Sequence, residues 1–491
     1  MFRYQLNYYG YMIKWNYSKL SVAQSGYENK IDEFMEEKPV KIIIAGDGKV
    51  GNMLTNQLSA EGHDITLVDS NPEVLEASIE SYDVMTVQGN CASMEVLNQA
   101  GVQETDLLIA ATSADEVNLL CCMTAHGMRP GIHTIARIRN PEYSNQIYKM
   151  RDTFALSLAV NPEKQAAVEI ERLLKFPGFL HREAFVGGRV EIAEIRLEAS
   201  NKLCNVSLNE LDSIVKCRVL VCAVLRNGNV VTPDGNFVLK AGDRVFVTAP
   251  TNNLAILLNN IGTITKKVKN VMICGGSKIG FYLAQRLQKS GMSVKIIEQK
   301  KERCIQLASL LPHVTVIQGD ASSQALLYSE DIEEMDALVT LTGLDEMNMI
   351  IAMYGKKSGV SQIITKVGRR RNGNLLDELE LGSVVCPKEL CCNNIVRYVR
   401  AMQNQTGAAV TVHTIADGQA EAMEFRVNEK TIHCNEPLKA LKIRKNVLVA
   451  SIIHGGQIEI PNGDSCFTQG DSVVVVTSSD KVLYQLNDIF E

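Results

Sequence analysis

The sequence predicts an α/β fold of two Rossmann-like doubly wound parallel-sheet domains, each followed by a small α+β, β-rich domain. Three observations carry this reading. A duplication recurs with Gly280 standing 229 residues after Gly51. Short β-branched runs alternate with helical patterns in the first part of each copy. The second part of each copy changes to alternating strands broken by glycine turns.

The duplication sets the frame. The stretch Lys41-Ile-Ile-Ile-Ala-Gly-Asp-Gly-Lys-Val-Gly51 returns as Asn270-Val-Met-Ile-Cys-Gly-Gly-Ser-Lys-Ile-Gly280. Likewise Thr66-Leu-Val-Asp69 returns as Lys295-Ile-Ile-Glu298, Gln88-Gly-Asn90 as Gln318-Gly-Asp320, and Asp115-Glu-Val-Asn118 as Asp345-Glu-Met-Asn348. The register reaches the tails, where Val230-Val-Thr-Pro-Asp-Gly235 is answered by Ile458-Glu-Ile-Pro-Asn-Gly463. The repeating unit is therefore a pair of domains.

Within the first copy, parallel strands are expected at Lys41–Ala45, Asp64–Val68, Val84–Val87, Leu107–Ala110 and Thr134–Ile138. Crossover helices separate them, with capping candidates Asp69 and Ser70 ahead of Pro72. Strands further on are punctuated by Asn227-Gly228, Pro233-Asp-Gly235 and Ala241-Gly242. The expected boundaries are a first Rossmann domain at 39–160, a helical connector at 161–179 and a first β-rich domain at 180–265. The second Rossmann domain follows at 268–388, the second connector at 389–407 and the second β-rich domain at 408–491. The connector helices, 161–175 and 387–403, each contain a leading proline, Pro162 or Pro387, and are expected to bridge to a neighbouring domain or subunit. Residues 1–38 carry Tyr4, Tyr8, Tyr9, Tyr11, Trp15 and Tyr17 without steady periodicity. They read as an extension that is either disordered, a misassigned start ahead of Met35, or a membrane-surface or partner contact.

Bulk composition narrows the function. The 491 residues exceed what one core can organise, and 46% hydrophobic with 22% charged residues is ordinary for folded domains. A formal charge of −6 lacks the basic excess that nucleic-acid binding needs. Apolar runs such as Val219–Leu225 and Val473–Thr477 are far too short to span a bilayer, and no signal-peptide pattern opens the chain. Any membrane role is expected to act through another polypeptide. The thirteen cysteines, including Cys121-Cys122 and Cys391-Cys392, show no metal-ligand spacing and read as reduced, buried thiols of a cytosolic protein. No metal site is expected.

The chemistry concentrates in the glycine loops. Gly46-Asp47-Gly48-Lys49-Val50-Gly51 is G-x-G-x-x-G between a strand and a helix. Gly46 permits the tight turn, Gly48 leaves no Cβ against a pyrophosphate, and Gly51 lets helix and strand pack closely, while the helix N-terminus supplies free N–H groups. Asp69 lies 23 residues after Gly46, where a carboxylate accepts ribose hydroxyls and repels a 2′-phosphate, which favours NAD(H) or another adenosine nucleotide. The second loop, Gly275-Gly276-Ser277-Lys278-Ile279-Gly280, keeps the acid spacing at Glu298 but puts Ser277 in the middle-glycine place. That site is expected to be tighter: weaker, selective for a different nucleotide, or structural. Strand ends add Asn90, Cys91, Thr112, Ser113 and Arg137, the last either a phosphate sensor or a surface salt bridge, with Lys366 in the matching place. No catalytic residue is expected. A dehydrogenase needs a substrate domain with a proton donor, whereas the partner domains here are β-rich, and the histidines, His126 and His133 among them, form no triad or HExxH spacing. A hydride-transferring NAD enzyme is the weaker alternative.

Several stretches in order carry a resemblance. They are Ile43-Ile-Ala-Gly-Asp-Gly-Lys-Val-Gly51 with Asp69, Val87-Gln-Gly-Asn90, Ala111-Thr-Ser-Ala-Asp-Glu-Val-Asn118, Ala136-Arg-Ile-Arg139-Asn-Pro, and Asn161-Pro162-Glu. Over residues 40–491 the chain resembles the TrkA family of potassium-uptake proteins with tandem RCK (KTN) N and C domains. The resemblance implies a cytoplasmic regulatory subunit, peripheral on the inner face of the cell membrane. It would assemble as a homo-oligomeric ring, dimeric or tetrameric, on a Trk-type potassium channel and respond to NAD(H) and ATP or ADP. By position, Gly46–Gly51, Asp69, Thr112, Ser113 and Arg137 would hold the nucleotide. A nucleotide-sensing subunit of another cation transporter is the alternative. The N-terminal extension and Ser277 depart from the family pattern.

Overall fold

The computed structural model describes residues 39–147, 149–262, 267–368, 382–403, 409–478, 483 and 485–491. The expectations for residues 1–38 lie outside the described residues.

Six strands build the first sheet: β1 (Lys41–Ala45), β2 (Asp64–Asp69), β3 (Met85–Gln88), β4 (Leu107–Ala110), β5 (His133–Arg137) and β6 (Leu158–Val160). They pair in parallel in the order β3-β2-β1-β4-β5-β6. Parallel pairing requires a crossover after each strand, and the helical segments between the runs supply it. The expected strands appear within a residue or so of their places, but β6 was not foreseen. Its three residues carry too short a pattern to stand out, and β5 pairing holds it. The cap before Pro72 is also not the one expected. Asn71 caps the Pro72–Ser81 helix by accepting from the Glu73 N–H, because the Asp69 carboxylate is engaged elsewhere.

A five-stranded antiparallel sheet follows: β7 (His181–Phe185), β8 (Val190–Arg196), β9 (Leu220–Arg226), β10 (Asn229–Val231) and β11 (Arg244–Pro250), in the order β10-β9-β11-β8-β7. The plan then repeats. A parallel sheet of β12 (Asn270–Cys274), β13 (Ser293–Glu298), β14 (Thr315–Gln318), β15 (Ala337–Thr340), β16 (Gln362–Lys366) and β17 (Ser383–Val385) takes the order β14-β13-β12-β15-β16-β17. The last sheet contains β18 (Thr411–Ile415), β19 (Ala420–Arg426), β20 (Val447–His454), β21 (Gln457–Glu459) and β22 (Ser472–Thr477), ordered β18-β19-β22-β20-β21.

Between these sheets the two halves exchange helices. The first connector helix, Pro162–Lys175, is capped by the Asn161 side chain at the Lys164 N–H and has Pro162 in its first turn. Its apolar face of Ala166, Ala167, Ile170, Leu173 and Leu174 is fully buried in the core of the second Rossmann lobe, with Leu283 and Leu287 of the helix that follows the second glycine loop. The second connector helix spans Pro387–Gln403. It sends Cys391, Cys392, Ile395, Val396 and Val399 into the first lobe against Val50, Leu54 and Leu58. The period of two in β1 shows the division. Ile42 and Ile44 lie in the core that the borrowed helix shares with Val50, Leu54 and Leu58, whereas Ile43 and Ala45 lie in the core of the opposite face with Leu97, Cys121 and Cys122. Each fully buried Leu or Ile of these interfaces is worth roughly 1.5–3 kcal/mol, so the exchange holds the halves together.

Polar contacts reinforce it. The buried Glu171 carboxylate accepts from Arg286 Nε at 2.5 Å and Ser290 Oγ at 2.7 Å, and Arg400 grips Glu61 with two nitrogens at 2.7 and 3.1 Å. The β-rich domains also meet face to face. Val190, Ile192 and Phe246 share a core with Ala420, Ala422, Val474 and Val476, while Ala193 and Ile195 point to helices of their own domain. Burial on both faces explains why Val219–Leu225 and Val473–Thr477 are continuous apolar runs rather than alternating ones. Among the described residues no helix is long and apolar enough to cross a membrane.

Candidate nucleotide sites

Each lobe has its glycine loop at the end of its central strand, beside the point where the strand order reverses, which is where doubly wound sheets form their ligand crevice. Gly46 sits at φ +97°, and a Cβ there would lie 2.8 Å from the Thr112 nitrogen. A Cβ on Gly51 would lie 2.0 Å from the Gly46 carbonyl oxygen. These two glycines are dictated by the loop's own backbone. Gly48 is different: a Cβ there would meet nothing within 4 Å, which leaves an open cradle over the N-terminus of the Lys49–Ala60 helix. That space, with its free N–H groups, fits a diphosphate.

The acids do more than wait for a ribose. Asp69 accepts from the Asp47 N–H at 2.8 Å and the Asn71 N–H at 2.9 Å, and Glu298 accepts from the Gly276 and Lys300 N–H groups at 2.8 Å each. Both carboxylates thus tie the glycine loop to the turn after the second strand of their sheet. The Asp47 side chain is buried and accepts from Ser78 Oγ at 2.5 Å. Burial, against the Ser78 hydrogen bond and aided by the Asp69 charge, raises its carboxyl above the usual value. In the second lobe an apolar pair takes this place, since a Cβ on Gly276 would lie 2.5 Å from Leu307 Cδ1. Val50 and Ile279 belong to the core beneath the borrowed helices and do not face the crevice. Lys49 is exposed and Lys278 half-buried.

Ser277 does not simply crowd the second loop. Its Oγ caps the Lys278–Lys289 helix by accepting from the Gly280 N–H at 3.4 Å, so a hydroxyl already engages one of the N–H groups that a phosphate would seek.

Arg137 is not the surface salt bridge that was one of its two readings. It is half-buried, its Nε has no hydrogen-bond partner among the described residues, and Nη1 donates to the Thr112 carbonyl at 3.4 Å. Burial, and then the charge of Arg139, push its guanidinium below the usual value. Lys366 matches it, donating to the Thr342 carbonyl at 2.7 Å, and burial lowers its ammonium too. Lys49, from the first loop, lies near enough for its charge to add to that lowering.

The structure adds two residues absent from the sequence expectation. Asn118 and Asn348 are fully buried. Asn118 Oδ1 accepts from the Thr112 N–H at 2.9 Å and its Nδ2 donates to the Arg137 carbonyl at 2.8 Å; Asn348 repeats this with Thr342 and Lys366 at 2.8 and 3.0 Å. In each lobe the asparagine locks the strand end that carries the candidate cation to the end of the neighbouring strand. The signal was their recurrence in the duplicated Asp-Glu-x-Asn stretch. Cys91 is buried, Asn90 and Ser113 are exposed, and Asn90 Oδ1 accepts from the Ala92 N–H. Among the described residues no group of three or more His, Cys, Asp or Glu could hold a metal ion.

Comparison with known proteins follows the same division. The TrkA-N domain family matches residues 42–158 and 271–387, and the TrkA-C domain family matches 192–262 and 422–488. The Trk system potassium uptake protein TrkA of Haemophilus influenzae is 30% identical over 461 residues, covering 92% of this chain and 99% of its own. The chain belongs to the TrkA family. Its TrkA homolog in Archaeoglobus fulgidus is 30% identical over 452 residues, covering 92% of this chain and all of its own. Among solved structures, the GsuK channel bound to NAD superposes with a TM-score of 0.57 at 15% identity, covering 91% of this chain and 78% of that one. The tandem arrangement of parallel and antiparallel domains is therefore the TrkA-family architecture, and both glycine loops lie inside its TrkA-N domains.

Proposed function

We propose that the chain is a non-catalytic, nucleotide-responsive regulatory subunit that gates a Trk-type potassium channel from the cytoplasmic face of the membrane. NAD(H), ATP or ADP would occupy the first lobe, with the diphosphate in the Gly46–Gly51 cradle, the adenosine ribose at Asp69 and a terminal phosphate within reach of Arg137. The reading is supported by the potassium-uptake role for which the TrkA relatives are named, by the fold shared with the NAD-bound GsuK channel, and by the absence of any triad or HExxH spacing among the histidines.

The observation that carries it is the reciprocal exchange of connector helices. The helix that begins at each glycine loop packs against a helix belonging to the other half. A ligand that shifts one loop helix therefore acts on the packing of both halves, and the size of the shift is bounded by the ligand's differential affinity for the two arrangements.

A ring of several copies is part of the proposal. Leu120 and Met123 stand exposed on the Asp115–Met128 helix, and Ile350 and Met353 stand at the matching places on Asp345–Lys357. Equivalent apolar patches on both lobes suit head-to-tail contact between copies.

Co-purification from native membranes is the test. Recovery of a multi-spanning potassium channel, with nucleotide-dependent potassium flux in reconstituted vesicles, is the expected result. Recovery of a different cation transporter would reassign the partner, and hydride transfer to a small substrate would replace the reading with an oxidoreductase.

A further inference from the structure

The two lobes differ in charge where an adenosine ribose would lie. From Asp69 to Glu76 the first lobe carries Asp69, Glu73 and Glu76 with no cation. The matching stretch of the second lobe, Glu298 to Ile305, carries Lys300, Lys301 and Arg303 against Glu298 and Glu302. The local charge passes from three negative to one positive, over the same strand end and the start of the same helix.

Arg303 is the informative member of the trio. It is half-buried and bends back over the glycine loop, donating from Nε to the Gly276 carbonyl at 2.7 Å and from Nη2 to the Ser277 carbonyl at 3.5 Å, with Nη1 at 3.3 Å from Gln306 Oε1. All three acceptors are neutral, and among the described residues Arg303 makes no ion pair with a carboxylate. Glu298, a carboxylate that alone would repel a 2′-phosphate, gives both its oxygens to backbone N–H groups, and its charge is offset by Lys300, Lys301 and Arg303, for which the first lobe has no counterpart. A desolvated guanidinium holding only neutral oxygens, with two exposed lysines beside it, is a group whose strongest available partner is an added dianion. Nothing similar stands in the first lobe, where Val74 occupies the place of Arg303. In Rossmann sites the 2′-position of the adenosine ribose meets the end of the second strand, and an arginine there is the means of accepting a 2′-phosphate.

We propose that the second lobe selects an adenine nucleotide phosphorylated on the ribose 2′-oxygen, of the NADP(H) class, with Arg303 and Lys301 as its specificity-determining residues, while the first lobe takes the unphosphorylated ribose. This rests on the nucleotide-binding reading of both lobes given above. The protein would then read two adenylate pools at once, one through each half of the exchanged connector pair.

Calorimetric titration of the full chain with NADH, NADPH, 2′,5′-ADP and 3′,5′-ADP tests it. The expected result is that 2′,5′-ADP binds at one site per chain more tightly than 3′,5′-ADP. R303Q and, independently, the exposed-site variant K301E are each expected to weaken NADPH and 2′,5′-ADP by roughly tenfold or more and to leave NADH at the first lobe unchanged. Equal weakening of NADH and NADPH by R303Q would mean that the guanidinium serves the adenine or diphosphate, and would overturn the assignment. So would 3′,5′-ADP binding as tightly as 2′,5′-ADP, or NADH binding with no measurable preference for 2′-phosphorylated ligands anywhere in the chain. Failure of all four ligands to bind would instead remove the nucleotide reading of both lobes.

Discussion

Exchanging the middle residues of the two loops separates the role of the glycine in the free protein from its role toward ligand. In Gly48→Ser the new Cβ enters space with no atom within 4 Å, at φ −73°, where an L-residue is unstrained. Its Oγ can cap the helix as Ser277 does at Gly280. Replacing Gly reduces the entropy of the unfolded chain by about 0.4–1 kcal/mol, and a serine cap adds a few tenths more. The free protein should therefore gain roughly 0.5–1.5 kcal/mol, seen as a higher denaturation midpoint. Nucleotide binding should move the other way. The side chain fills the diphosphate cradle and engages an N–H group of the helix start, and losing one good hydrogen bond to a charged phosphate is worth about 1.5–3 kcal/mol, or roughly 10–150-fold in Kd. Calorimetry with NADH and chemical denaturation of the same preparation give both numbers. Unchanged NADH affinity would refute the placement of the diphosphate, and a destabilised free protein would refute the claim that Gly48 is there for ligand rather than for the fold.

Three further outcomes follow from the same geometry. Arg137→Ala should weaken ATP roughly tenfold or more while NADH, held chiefly by the loop and Asp69, changes little; equal loss of both would remove the phosphate-sensing role. Glu171→Ala removes the buried acceptor of Arg286 and Ser290 at the contact between the halves; with Arg286 itself 38% exposed and open to water, the loss should be about 1.5–3 kcal/mol in chemical denaturation, whereas Glu171→Gln, still able to accept from Ser290, should cost less. At Glu183, burial works to raise the carboxyl, but the attraction of His413 from the other β-rich domain, and then of His181, outweighs it and holds the group well below its ordinary 4.5. A depressed folded-state value contributes stability from about pH 4.5 up to where the two imidazoles give up their protons, and this is lost as pH falls below 4.5, so thermal scans of Glu183→Gln and the parent chain should converge in acid.

Much of the geometry of the candidate sites is legible in the sequence. Gly46 and Gly51 are required by backbone closeness, and the acid spacing places Asp69 and Glu298 at their strand ends, because strand, turn and helix leave the chain few ways to pass. What the carboxylates do in the free protein was not legible. The backbone N–H groups of Asp47 and Asn71 compete for Asp69 at hydrogen-bond distance, and that competition also hands the helix cap to Asn71. The strand end that carries Arg137 is tied to its neighbour by Asn118, a residue whose spacing alone suggests only an ordinary helix position.

The order of residues determines the two lobes, their strand succession and their loops, since these follow from periodicity, turn chemistry and a repeat that are all local in the chain. Which lobe each connector helix covers was decided only in three dimensions. An apolar helical stripe such as Ala166-Ala167-Ile170-Leu173-Leu174 is chemically as well suited to one parallel sheet as to another, and the choice falls to the shape of the faces that meet it. The same holds for the paired β-rich sheets, whose second apolar face has meaning only against its partner.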